Sequence, residues 1–458
     1  MFIVPIVAMT FHREITAPSM HRMLGIFLAL VLTVTALPAR AISLIRDPDI
    51  EYALARVSEP ILAAAGLGGS VRVLVVNDQS LNAFVIDNNH IFIHMGLLLR
   101  MERVEMLQAV IAHEAAHIAN SHITRRMANI GTARTASGFG LALALAAAAA
   151  GASGDAAAGL AIGTQSASMR TLLAHTRAEE AAADQSGVRY MVRAGVDPHA
   201  AVEVHDLFRG QELLNVSRQD PYMRSHPLTR DRMRAMQAFA NANKGKARKQ
   251  PEAEYWFARA QGKASAFTRS PKWTMQRADE SPSRDIRLMR EAIAYHRRSD
   301  RTKAIARINA AIEMRPRDPY FYELKGQILL ESRRFNEAVN AYRKSVDLAP
   351  RNALCLGGLG RALLAADRPK EALTYLEKAR ARDFRDPRIL RDLGAAYART
   401  GKNGMASLST AERYALQNRL KDAAIHARRA SGLLPRGSSA WRRAEDILAD
   451  AERAAKKK

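Results

Sequence analysis

Ala112-His113-Glu114-Ala115-Ala116-His117-Ile118 is the stretch from which the rest of the chain is read. An apolar run leads into it, and Val104, Leu107, Val110, Ile111 and Ile118 mark the buried stripe of a helix predicted over 104–126. Residues four apart share a helix face, so His113 and His117 can hold one metal ion together. Glu114 lies beside that ion, where a carboxylate takes a proton from an activated water. The alternative is an amphipathic helix with two incidental histidines, and its surroundings decide between them.

Upstream, residues 46–65 read as a helix stopped by Gly66, Gly68 and Gly69. Val71–Val76 is β-branched, and His90-Ile91-Phe92-Ile93-His94 alternates; both predict strands of a small sheet. A short helix follows from Met95 to Arg100. Downstream, Arg177-Ala178-Glu179-Glu180-Ala181-Ala182-Ala183-Asp184 is helical and acidic. A zinc site with two histidines needs a third protein ligand and a position for water, and Glu180 on this second helix fits that need. Asp184, one turn on, can accept the free ring N–H of a ligating histidine. Without the histidine pair, the same helix would read as a solvated acidic face.

The chain has 458 residues, 48% of them apolar, which is enough for two or three domains with real cores. Its 69 basic and 45 acidic residues leave a net charge of +24. No nucleic-acid motif accompanies that charge, so no nucleic-acid partner is expected; a solvated surface or contact with an anionic membrane accounts for it. Cys355 is the single cysteine, which excludes intramolecular disulfides and cysteine metal sites. Any metal therefore has histidine and carboxylate ligands. From Met20, a basic His21-Arg22, an apolar core over 24–37 and Ala39-Arg40-Ala41 form a secretory signal, with the mature chain starting near Ile42. The segment before Met20 fits no part of a signal and points to the real start lying downstream of Met1. An uncleaved anchor is the other reading of the apolar core. Residues 135–154 carry no charge and are rich in alanine and glycine, which predicts a flexible or membrane-touching segment reaching to about 163 rather than a true span.

In the second half a 34-residue period sets the architecture. Small residues recur at Ala292, Gly326, Gly360, Gly394 and Ala411, and again at Ala304, Ala338, Ala372 and Ala423. Tyr295, Leu329, Leu363, Tyr397 and Tyr414 fill a large slot three residues after the first set. This resembles tetratricopeptide repeats at 285–318, 319–352 and 353–386, then an irregular piece ending at Gly401–Gly404, then 404–437, with a capping helix over 440–455. Stacked helix pairs make a groove for protein segments. Between the halves, 241–284 reads as a basic linker whose Tyr255-Trp256-Phe257 cluster docks one half on the other.

The motif at 113–117, the Glu180-x-x-Ala183-Asp184 helix, Asn82-Ala83-Phe84 before a strand, and Ser225-His226-Pro227 with Arg232 together resemble the HtpX-like and CAAX-protease-like metallopeptidases, in the type joined to tetratricopeptide repeats. The resemblance covers nearly the whole mature chain. It implies one Zn2+ per chain on His113, His117 and Glu180, with Glu114 as general base; its HExxH-plus-glutamate set is the gluzincin one. Residues near His226 would line the site. His226 is then a fourth ligand at rest or a donor to the developing oxyanion, against the alternative of a surface-loop histidine, and Arg232 stabilises charge or ties the loop. Asn82 with the strand bearing Ile91 and Ile93 would pair with an extended substrate, as sheet edges do.

The fold expected is mostly α (α+β): a zincin-like helical metallopeptidase domain with a small β-sheet, followed by a tetratricopeptide-repeat α-solenoid. The divisions are 1–41 extension and signal, 42–240 metallopeptidase, 241–284 linker, 285–455 repeats with cap, and 456–458 basic tail. The function implied is a periplasmic endopeptidase, free or membrane-associated, whose repeats recruit protein clients and envelope complexes, in outer-membrane protein assembly or quality control. The other reading is a chaperone or scaffold of the envelope with gated or minor proteolysis.

Overall fold

The computed structural model describes residues 43–122, 124–125, 177–215 and 218–456. The signal, the alanine- and glycine-rich segment and the last two lysines lie outside these residues. None of the described helices is long and apolar enough to cross a membrane.

The chain begins with β1 (Leu44–Ile45) and α1 (Pro48–Ala64). The Asp47 carboxylate caps α1 by accepting from the Asp49 and Ile50 amides, and Pro48 sits in the first turn, where no N–H is needed. Three strands follow, β2 (Arg72–Val76), β3 (Ala83–Val85) and β4 (His90–His94), then α2 (Met95–Arg100) and α3 (Val104–Ala119). The sheet order is β1-β2-β4-β3. β4 runs parallel to β2 with Val73 opposite Ile91, and antiparallel to β3 with Val85 opposite Ile91. Val73, Val75, Ile91 and Ile93 face the core under α1 and α3, while Leu74, Phe92 and Phe84 make a thin layer on the other side.

This order corrects one expectation. β4 is bonded on both sides, so its backbone cannot take a further strand, and the Ile91 and Ile93 side chains have 0% exposure. The edge next to it is β3, which was too short for an alternating pattern to reveal. α3 is also shorter than predicted: it ends at Ala119, and Ser121 turns the chain with a φ of 59°.

Beyond the motif helix come α4 (Arg177–Ala194), α5 (His199–Asp206), α6 (Pro221–Ser225) and α7 (Arg230–Ala242). α4 crosses α3 closely at Gly187, where a Cβ would lie 3.3 Å from the His113 amide nitrogen. The glycine therefore lets the acidic helix approach the histidine helix.

The segment expected to be a linker is instead α8 (Pro251–Thr268) followed by the short α9 (Pro271–Gln276). Composition misled because the cations of α8 are interior: Arg259 and Lys263 are both 0% exposed. Arg259 pairs with Asp49 at 2.8 Å and with Asp318, and Lys263 with Asp47 at 2.9 Å and Glu323 at 3.6 Å. The Gln261 amide donates to the carbonyls of Leu98 and Met101, both at 2.8 Å, just before α3. Trp256 packs edge-on against Tyr52, Phe257 is buried in the first core, and Tyr255 packs against the core of the repeats. Thus the aromatic cluster does join the halves, from within a helix.

The repeats are helix hairpins: α10 (Arg284–Arg297) with α11 (Arg301–Met314), α12 (Pro319–Glu331) with α13 (Phe335–Leu348), and α14 (Ala353–Ala365) with α15 (Pro369–Arg382). α16 (Pro387–Arg399), α17 (Asn403–Leu416), α18 (Leu420–Leu433) and α19 (Ser439–Lys456) complete the stack. At Gly326 an added Cβ would lie 2.7 Å from the Tyr342 ring, so the period demands a small residue there. Left-handed residues close the hairpins at Ser299, Arg333, Asp367 and Gly401, spaced as the repeat requires. The piece expected to be irregular is therefore a regular helix, α16. Another left-handed turn, at Asn418, follows only 17 residues after Gly401. α17 consequently closes the hairpin begun by α16 and opens the one completed by α18. Cys355 is buried on α14.

Candidate metal centre

Three helices and one loop bring the site together. His113, Glu114 and His117 come from α3, Glu180 and Asp184 from α4, Arg232 from the first turn of α7, and His226 from the residue that ends α6. All seven are buried. One donor atom each from His113, His117, Glu180 and His226 falls within 4.8 Å of the other three.

The separations have a meaning for coordination. His117 Nε2 and His113 Nε2 are 3.1 Å apart, and His226 Nδ1 lies 3.3 Å from His113 Nε2 and 3.0 Å from Glu180 Oε1. His117 Nε2 to Glu180 Oε1 is 3.3 Å. Ligands about 2.0–2.1 Å from a tetrahedral centre stand about 3.3 Å from one another. Three imidazole nitrogens and a carboxylate oxygen are thus spaced as ligands of one small cation. Charge agrees with spacing: the carboxylates of Glu114, Glu180 and Asp184 are buried, and among the described residues Arg232 pairs with the last two, an acidic set that suits a divalent cation.

The second layer fixes the first. His113 Nδ1 donates to Asp184 Oδ1 at 3.0 Å, which turns Nε2 toward the cluster. Arg232 donates to both oxygens of Asp184, at 2.7 and 2.8 Å, and to the Pro227 carbonyl at 2.8 Å. It also reaches Glu180 Oε2 at 2.9 Å. In this position Arg232 ties the His226 loop to the acidic helix. Burial works against charge on His113, but hydrogen bonds to Asp184 and Glu180 outweigh it and lift the imidazole to about 10. Burial dominates at His117 and depresses it to about 3. Burial would raise Glu180 too, yet the imidazoles around it hold its carboxyl well below the usual range.

His226 is 1% exposed, so it is no surface-loop histidine. Its ring rests on Tyr222, centroids 4.7 Å apart, and its Nε2 lies 3.4 Å from Glu114 Oε1. Asn82 stands apart from the metal cluster, at the entry to β3. Its carbonyl accepts from the His94 amide at 2.9 Å, and its buried Oδ1 has no hydrogen-bond partner among the described residues. Ile91 and Ile93 belong to the core and leave the group of site residues. Sequence reasoning missed Tyr222 and His122; for the latter the only signal was a histidine five places after His117.

The pattern of peptidase family M48 matches residues 48–240, and tetratricopeptide repeat patterns match 289–353 and 329–396. The chain carries a peptidase family M48 domain and tetratricopeptide repeats. The M48 assignment makes the first half a metalloprotease domain, for which the buried His/Glu cluster is a consistent metal site. Among its relatives is the beta-barrel assembly-enhancing protease of Escherichia coli K12, 24% identical over 357 residues that make up 76% of this chain and 72% of that protein. A putative beta-barrel assembly-enhancing protease of Vibrio cholerae is 25% identical over 190 residues, 41% of this chain and 39% of that one. An HtpX homolog protease from Caldanaerobacter subterraneus is 42% identical over 81 residues, 17% of this chain and 26% of the relative.

Proposed function

We propose that this chain is a zinc-dependent endopeptidase of the bacterial cell envelope, acting in outer-membrane protein assembly or quality control on clients recruited by its repeats. The observation that carries the reading is the convergence of His113, His117 and Glu180 on one point, with Glu114 buried beside it. The relatives' names support the assembly role and the envelope location. Residues 42–240 would form the catalytic unit and 285–455 the recruiting unit, with α8 as their joint.

When bound, zinc supplies Lewis acidity, lowering the pKa of a coordinated water and polarising the peptide carbonyl. Glu114 takes the proton of the attacking water and passes it to the departing amine. Asp184 keeps His113 in the Nε2-donating tautomer, and Arg232 holds Asp184 and Glu180 in register. The substrate backbone pairs with β3, the edge strand among the described residues, starting at Asn82, which replaces the interior strand first expected to bind it. With His226 as a fourth ligand, as its place among the other three donors allows, the position a substrate carbonyl would take is filled and the site is at rest. Movement of the loop after α6 opens it, and the freed imidazole then donates to the oxyanion.

That same blockade supports a second role, as an envelope chaperone or scaffold whose proteolysis is gated. Zinc stoichiometry and casein cleavage, measured for the wild type, Glu114→Gln and Glu180→Ala, test the first reading. One zinc per chain is expected in the wild type and in Glu114→Gln, with cleavage only in the wild type; a metal-free wild type would sink the enzymatic account. Client binding that survives in Glu114→Gln would establish the scaffold role beside it.

A further inference from the structure

α3 ends at Ala119, and the helical path is broken at Ser121, whose φ of 59° is left-handed. On an unbroken helix His122 would stand about 140° round the axis from His117 and face away from it. The turn brings it back. His122 Nδ1 lies 2.9 Å from His117 Nδ1, with ring centroids 5.0 Å apart, and the residue is only 2% exposed.

Two facing Nδ1 atoms at that distance share one hydrogen. If His117 offers Nε2 to a cation, its Nδ1 carries the hydrogen, and His122 Nδ1 must be the acceptor, with the His122 proton on Nε2. The two histidines of the motif are therefore backed differently: His113 by the carboxylate of Asp184, His117 by a neutral ring. A neutral acceptor orients the ligand without adding a further negative charge to a site that already buries three carboxylates.

We infer that His122 is a positioning residue that fixes the tautomer and ring plane of His117 and thereby sets the affinity of the site for its metal. The inference rests on the metal reading proposed above. It is tested on the full chain with zinc(II) titrated against a chromogenic chelator, comparing the wild type with His122→Phe and His122→Asn. Phenylalanine fills the space but accepts no hydrogen bond, so zinc affinity should fall about 10–100-fold. Asparagine loses volume but keeps an acceptor near the position of Nδ1, so its affinity should stay near the wild-type value. In cobalt(II)-loaded protein the visible absorption should move in the Phe variant and not in the Asn variant.

A residue needed only for packing gives the opposite order, with Phe near wild type and Asn impaired, and that result would overturn the inference. Equal affinities in all three proteins would overturn it as well. A wild type that takes up no zinc would instead bring down the metal reading itself, and the positioning role with it. Melting of the metal-free proteins reports folding; if Phe does not fold, His122→Leu takes its place with the same expected loss.

Discussion

Asp184→Asn isolates the layer behind the proposed ligands, because it keeps the side chain's shape and removes its charge. Asp184 Oδ1 accepts from His113 Nδ1 and Arg232 Nη2, and Oδ2 accepts from Arg232 Nε. An asparagine satisfies only part of this. With its amide group toward Arg232, a donor meets a donor; turned over, it faces the His113 Nδ1–H and pushes that ring toward the tautomer that cannot ligate through Nε2. Loss of such a partner typically costs 10–100-fold in metal affinity, or about 1.4–2.8 kcal/mol. The metal-free fold should suffer separately. Breaking a buried ion pair costs about 3–5 kcal/mol, and the remaining contact of Arg232 with Glu180 Oε2 at 2.9 Å argues for the lower end. Chelator competition measures the first effect and the urea midpoint of metal-free protein the second. If Asp184→Asn bound zinc as tightly as wild type, the reasoning about His113 would be wrong, whatever happened to stability.

Chelation should lower the melting temperature and re-addition of zinc restore it, since free metal at about a thousand times its Kd stabilises the native state by about 4 kcal/mol; identical melts with and without chelator contradict the site. Arg259→Met should destabilise strongly, by about 3–5 kcal/mol, because it leaves Asp49 and Asp318 without their guanidinium, and limited proteolysis should then cut near α8. Burial pushes the Glu323 carboxyl up to about 7, and since that exceeds its unfolded value, its contribution is present at low pH and fades as pH rises through 7. The urea midpoint should therefore fall between pH 5.5 and 8 more in wild type than in Glu323→Gln; equal slopes would refute the assignment. Gly326→Ala should cost about 1–3 kcal/mol by driving a methyl into Tyr342, while Gly432→Ala, with open space around it, should gain up to about 1 kcal/mol from helix propensity. Like signs for the two would refute the packing argument.

The parts of the site legible in the sequence were those carried by helical spacing. His113 and His117 are one turn apart, and so are Glu180 and Asp184, so each pair announces a face, with Glu114 next to the first. The strands fared less well: β4 is five residues long and alternates, but whether a strand is interior or at an edge depends on partners far along the chain, and β1 and β3 are too short to show a period. His122 was hidden because a helical reading aims it away from His117, and only the turn at Ser121 brings it back. In α8 the charges suggested solvent, yet Arg259 and Lys263 meet carboxylates contributed by both halves. Burial of a charge depends on its partners, which local composition does not contain.

The double duty of α17 bears on how such a chain can lengthen. A stack of strict pairs grows or shrinks two helices at a time, since a lone insertion would swap inner and outer rows for everything downstream. Here Asn418 repeats the Gly401 bend half a period early, and the apolar spacing restarts with it. A half-period step is accommodated, so descendants of this architecture can differ by a single helix and still keep a continuous core.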